Sequence, residues 1–335
     1  MECTDLICTR RRLLTGLGLA AGVVAVDTAM PRLAFAASPA RGDLLVVVSL
    51  RGGADGLSLV PPIGDPSYLT ARPSIGVTSE QALRLDRTFG LHPGLKPLLP
   101  YWSDRRLAIV QAVGDKDGTR SHFEATDAME RGVDVSSGVT TGWIDRYLTV
   151  RGLRSTDFPS LAIGSSPPGT LAGPAPDLTT QDVRNLGIRV AKAKRPAIEQ
   201  ALGQMYAGLG GPVASAARGT LSALAAFAPF REVDYQPRGG AVYPADGLGY
   251  ALKQVAQVAR AGIGLEVATV DGGGWDTHEG MGGAGGGYMA TQVGRLGQAL
   301  AAFAADLGPL LATTTIVTVS EFGRRVAQNG SGGVD

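Results

Sequence analysis

A three-layer α/β/α sandwich with a mostly parallel sheet is the fold this sequence predicts, and three observations predict it. Short apolar runs recur along the chain, segments of helical period lie between them, and polar or glycine-rich turns close the runs. Residues 43–50 (DLLVVVSL) are apolar on both faces and end at Arg51-Gly52-Gly53-Ala54-Asp55-Gly56, as a buried parallel strand does. Residues 107–113 (LAIVQAV) form a second such run, leading through a polar loop to a helix opening at Ser121. A short third strand is expected at 161–164, and two more at 264–270 and 314–319.

Helices fill the intervals. Between 287 and 307, Met289, Val293, Leu296, Leu300, Phe303 and Leu307 step by four and three and so share one helical face. Leu248, Leu252 and Val255 repeat that pattern, and alanine-rich helices are expected from 196 to 228 with a break near Gly210-Gly211-Pro212. The stretch 167–193 is poorly patterned and reads as a long loop or insertion. Strands alternating with helices imply a parallel sheet covered on both faces.

The N-terminus reads as a signal, with boundaries 1–36, ahead of one domain over 37–335. Thr9-Arg10-Arg11-Arg12-Leu13-Leu14 is followed by an uncharged apolar stretch to Val26 and then by Ala34-Phe35-Ala36. Charged head, short apolar middle and small-residue cleavage site make a secretory signal, and the arginine pair selects the twin-arginine route. The apolar run is shorter than the roughly 20 residues a membrane span needs; the alternative is an uncleaved anchor. The chain is thus expected in the periplasm or secreted, with the twin-arginine translocase as a partner during export and no stable membrane anchor after cleavage. Both cysteines, Cys3 and Cys8, lie in the signal, so the exported domain has no disulfide and no thiolate ligand. Losing the signal also moves the formal charge from +1 to zero. A neutral chain without a basic run gives no support for nucleic-acid binding.

In an open parallel sheet, ligands collect beyond the carboxyl ends of the strands. Asp55 follows the first strand; Asp115, Asp117, Thr119, Arg120, Ser121 and His122 follow the second. Asp271, Asp276 and His278 follow the fourth, and Ser320, Glu321, Arg324 and Arg325 the fifth. Two of only three histidines, His122 and His278, fall at these ends; His92 sits in a loop. Asp276 and His278, with Glu321 and Asp55, offer oxygen and nitrogen donors suited to a divalent ion, Zn, Mn, Fe, Ca or Mg. Asp55 also reads as a turn residue in a left-handed conformation. Ser121-His122-Phe123-Glu124 matches a capping box, in which the serine and glutamate satisfy each other's backbone N–H groups. A hydroxyl at a helix N-terminus is equally placed to act on an anion. The Gly16-x-Gly18 pair belongs to the signal, and neither a P-loop nor a Gly-x-Ser-x-Gly elbow is present.

Together these blocks resemble the bacterial domain-of-unknown-function family 1501. The blocks are 9–14, Leu50-Arg51-Gly52-Gly53-Ala54-Asp55-Gly56, Arg120-Ser121-His122-Phe123-Glu124-Ala125-Thr126-Asp127, Gly274-Trp275-Asp276-Thr277-His278 and Ser320-Glu321-Phe322-Gly323-Arg324. That family looks like a branch of the alkaline phosphatase and sulfatase superfamily, so the resemblance implies an alkaline-phosphatase-like sheet with metal at the strand ends. It implies Asp55, Asp276, His278 and Glu321 as metal ligands, Ser121 as nucleophile, and Arg120 or Arg324 steadying the substrate anion. The sulfatase Cys/Ser-x-Pro-x-Arg signature is missing. The resemblance also implies a His-Gly and a further stretch after Asp335, so the chain is expected to be C-terminally truncated. The activity expected is metal-dependent hydrolysis of a small phosphate or sulfate ester. The alternatives are a non-catalytic exported binding or assembly protein on the same fold, and a redox enzyme loaded with an organic cofactor before export.

Overall fold

A computed structural model describes residues 43–114, 118–151, 159–188, 190–231 and 233–335. The expected signal and the strand-end acids Asp115 and Asp117 lie outside the described residues. In chain order the elements are β1 (Leu44–Leu50), α1 (Gly56–Leu59), α2 (Pro66–Ala71), β2 (Leu83–Arg84), β3 (Gly90–Leu91) and α3 (Leu99–Ser103). There follow α4 (His122–Arg131), α5 (Trp143–Val150), β4 (Ser160–Ile163), β5 (Leu178–Thr180), α6 (Arg195–Tyr206) and α7 (Pro212–Phe227). The last are α8 (Gly247–Ala261), β6 (Val267–Gly272), α9 (Tyr288–Leu307) and β7 (Thr314–Val319).

Five strands make one sheet in the order β5-β4-β6-β1-β7, and every ladder in it is parallel. The short β2–β3 pair is antiparallel and separate. Side chains alternate across β1, which shows why the fold has three layers. Val46, Val48 and Leu50 enter the larger core with Phe227 of α7, Leu252 and Val255 of α8, and Val293 and Phe303 of α9. Val47 faces the other way, into a smaller core with Ile144 and Leu148 of α5, Ala162 of β4 and Val267 of β6. A strand buried on both faces has no polar side to alternate with, hence its continuous apolar run. Helix α9 with the turn after it, Tyr288–Thr313, is long and apolar enough to cross a membrane, but its apolar stripe is spent on the core.

Two expectations are corrected. The run 107–113 is not a strand: it pairs with nothing in the sheet, Ala112 has a positive φ of 56°, and Val110 and Val113 are 76% and 75% exposed. Only Leu107 and Ile109 rest on the core. An apolar run states a wish for burial without naming a partner edge, and among the described residues no strand pairs with the outer edge of β7. The stretch 167–193 is not a structureless loop, since β5 and 3-10 turns lie within it. The helix break expected near 210–212 falls between α6 and α7, where Pro212 opens α7.

The chain order places three strand ends side by side. β1 sits between β6 and β7, so the turns after all three converge at one end of the sheet.

Candidate functional site

The chain after β6 runs extended. Trp275 and Thr277 point inward and are buried, while Asp276 and His278 are exposed on the opposite side. A spacing of two in extended backbone puts both side chains on one face, and His278 Nε2 lies 2.8 Å from Asp276 Oδ1. The segment is pinned from both sides: Trp275 N donates to Arg51 O (3.2 Å) and Val334 N to Thr277 O (3.0 Å). Both approaches require glycine. A Cβ on Gly52, whose φ is +114°, would lie 2.5 Å from Asp276 N, and one on Gly333 would strike the backbone of His278.

A third side chain arrives from α4. Ser121 is its N-cap and His122 its first residue. His122 Nε2 lies 3.4 Å from the same Asp276 Oδ1. Behind it, His122 Nδ1 meets Glu321 Oε1 at 2.8 Å, and that oxygen also accepts from Gly52 N at 2.8 Å. Burial alone would raise the Glu321 carboxyl, but hydrogen bonds from His122 and from backbone N–H groups hold it below the ordinary carboxylate range. An ionised Glu321 needs a donor, so Nδ1 of His122 carries a proton, and in the neutral ring Nε2 then presents a lone pair.

Arg324 fixes the tautomer of His278 by the same logic. Its Nη1 lies 3.1 Å from His278 Nε2, and guanidinium only donates, so Nε2 accepts. The proton then sits on Nδ1, 3.3 Å from Asp335 Oδ1. Two imidazole lone pairs and one carboxylate oxygen thus converge, their atoms all within 4.8 Å of one another. Donors about 2.1 Å from a tetrahedral ion stand roughly 3.4 Å apart, so two imidazoles and a carboxylate at these separations fit a divalent metal with a position left open. An acid behind each histidine is the arrangement that orients and strengthens imidazole ligands.

The expected site residues divide accordingly. Asp276 and His278 belong to the donor set, and Glu321 stands behind His122, its Oε1 taken by Nδ1 and Gly52 N. Asp55 is elsewhere. It is buried with one carboxylate oxygen on Ser58 Oγ (2.5 Å) and both on the guanidinium of Arg72, which is wholly buried. Arg72 also donates to the carbonyls of Val326 and Arg325. The alternative reading of Asp55 as a left-handed turn residue is corrected as well, for its φ and ψ are −75° and 96°, extended, at the start of α1.

Ser121 accepts from Glu124 N at 3.4 Å, half of the expected capping box. The other half is absent among the described contacts: the Glu124 carboxylate accepts from Thr119 Oγ1 (2.6 Å), and Ser121 N donates to that hydroxyl (3.2 Å). Arg120 is exposed just ahead of the helix. Arg324, with 1% of its side chain exposed, spends all five N–H donors. They go to Gly53 O (2.7 Å), Gly52 O (2.5 Å), Asp276 Oδ1 (2.5 Å), His278 Nε2 (3.1 Å) and Val334 O (3.3 Å). Partial burial would raise the Asp276 carboxyl, but the hydrogen bond from Arg324 and the positive charge of its neighbours together outweigh it and hold the group low.

Three contributors escaped the reading of ligands from sequence. His122 was marked only by standing at a strand end. Asp335 gave no signal. Arg51 bridges Asp271 (3.0 Å) and Glu130 (2.5 Å), tying α4 to the end of β6, and it looked like the flank of a glycine turn.

Neither the curated proteins nor the solved structures contain a match to the chain. Residues 247–335 match the model of the family described as protein of unknown function DUF1501. The match contains the blocks at 274–278 and 320–324; those at 9–14, 50–56 and 120–127, with His122, lie outside it. Through the segment that carries Asp276, His278, Glu321 and Arg324, about a quarter of its length, the chain is similar to the DUF1501 family.

Proposed function

We propose that this chain is a metal-dependent hydrolase of small phosphate or sulfate esters, centred on His122, Asp276 and His278. One observation carries the reading: two imidazole Nε2 atoms, each with an acid behind its Nδ1, face the same Asp276 oxygen. Three acceptors facing one another call for positive charge; Arg324 supplies it to Asp276 and His278 from one side, and a metal ion among the three would serve all of them. A bound divalent ion supplies Lewis acidity toward an ester oxygen and activates a nucleophile at neutral pH. Around it the chain's own groups divide the work. Glu321 and Asp335 hold the imidazoles in the lone-pair-inward tautomer. Ser121, next in the chain to His122, offers the hydroxyl nucleophile unless water itself attacks. Arg120 and Arg324 are the cations available to an anionic ester. Zinc suits the two-imidazole, one-carboxylate set best, with manganese and iron next.

Export completes the reading: residues 1–36 serve as a twin-arginine signal, the translocase is the partner in transit, and the domain works in the periplasm or outside the cell.

The test is metal content of the purified protein, wild type beside Asp276→Ala/His278→Ala and His122→Ala. One equivalent in the wild type and none in the double variant, with His122→Ala reduced, is the expected result and leads to a screen of phosphate and sulfate esters. A well-folded wild type that takes up no metal sinks the hydrolase and leaves the non-catalytic binding reading in its place.

A further inference from the structure

We infer that Arg324 competes with the metal for the lone pair of His278 Nε2, and that this exchange sets the affinity of the site. The inference rests on the metal-site reading above and deepens it. Nη1 and Nη2 of one guanidinium fork reach His278 Nε2 (3.1 Å) and Asp276 Oδ1 (2.5 Å), two adjacent acceptors 2.8 Å apart. A planar fork suits two parallel acceptors. Those two atoms are two of the three donors of the metal set. His278 Nε2 has one electron pair and presents it to the fork, so a metal at His278 requires Nη1 to let go, whereas Asp276 Oδ1 has a further lone pair and can take a metal while Nη2 stays.

The fork is not a loose surface group. Nε on Gly53 O, Nη2 on Gly52 O and Nη1 on Val334 O hold its base at the ends of β1 and of the chain segment after β7. The guanidinium also lies over the Phe322 ring, 5.7 Å from its centroid. Arg324 therefore keeps Asp276 and His278 oriented toward His122 when no ion does so, and withdraws its Nη1 donor from His278 when one arrives. The released Nη1–H then stands beside the ligand triangle, where an ester's anionic oxygen would be held. The anion role implied for Arg324 thus becomes available only after metal enters, which orders the two binding events. Arg324 is a positioning residue for the metal before it is a contact for the substrate.

The experiment measures zinc affinity by competition with a chromophoric chelator, for wild type, Arg324→Met and Arg324→Lys, with thermal unfolding of each protein with and without zinc. Arg324→Met removes the competitor and keeps the apolar stem over Phe322. It is expected to bind zinc at least tenfold more tightly, and to show a lower melting temperature without zinc and a larger rise with it. Arg324→Lys, with one ammonium in place of a fork, is expected to fall between, and it keeps the test alive if the methionine variant does not fold. Equal or weaker zinc affinity in the folded variants overturns the competition while leaving the metal site standing. No zinc bound by any of the three folded proteins overturns the metal site itself, and this inference with it.

Discussion

Asp55 illustrates how a carboxylate at a strand end can be spent on structure. Its oxygens meet Arg72 and Ser58 in a pocket closed to solvent, and Arg72 goes on to hold the carbonyls of Arg325 and Val326. A buried ion pair is costly to assemble, and removing one partner strands the other charge, at about 3–5 kcal/mol. Asp55→Ala is therefore expected to lose stability on that scale in urea unfolding while the remaining folded protein keeps its metal stoichiometry. Loss of metal without loss of stability would return Asp55 to the ligand set. The residue type alone did not separate these roles, because a ligand and a salt-bridge partner are the same functional group; the wholly buried Arg72, seventeen residues on, makes the difference.

Elements meet at the site more than residues do. Helix α4 brings His122, the end of β7 brings Glu321, and a single 2.8 Å contact couples them across 199 positions of sequence. Two further ties keep α4 in place. Arg51 reaches from the end of β1 to Glu130, and Glu130 also accepts from Gly169 N at 3.0 Å. In the proposed metal site, Glu321 would act through His122 by fixing its tautomer and ring direction. Losing such an outer partner weakens metal binding about 10–100-fold. Glu321→Gln, which retains the shape, is expected to weaken zinc binding within that range while stoichiometry stays at one. An unchanged dissociation constant would remove Glu321 from the site altogether. The capping serine shows the same dependence on neighbouring elements: Thr119, ahead of the helix, takes Glu124 for itself and leaves Ser121 with one half of the expected pair of bonds.

At the scale of the molecule, the far edge of the sheet carries a pH dependence of its own. Burial, with the nearby charge of Asp145, pushes the Asp177 carboxyl at the start of β5 up to about 6. The folded chain then holds a proton that the unfolded chain, with the ordinary value of 3.8, has lost. Between about pH 4 and 6 stability accordingly falls as pH rises, and the deficit is complete above 6. Asp177→Asn is expected to match the wild type below pH 4 and to exceed it at pH 7 by on the order of 3 kcal/mol. Urea midpoints across that range check the sign; parallel curves would show that Asp177 titrates alike in both states.

What the sequence determined by itself was local and periodic. The apolar runs at 43–50 and 314–319 became β1 and β7, and the four-three stepping from Met289 to Leu307 became the buried face of α9. The two-residue spacing of Asp276 and His278 placed both on one face of an extended segment. These follow from backbone geometry, which repeats every two or 3.6 residues wherever it occurs. What only the tertiary structure decided was pairing between distant segments. It left 107–113 out of the sheet, sent Asp55 to Arg72, and carried His122 to Asp276 and Glu321. Such pairings depend on which sheet edges and buried charges find each other first and best, and that free energy belongs to the whole packed chain rather than to any window of it.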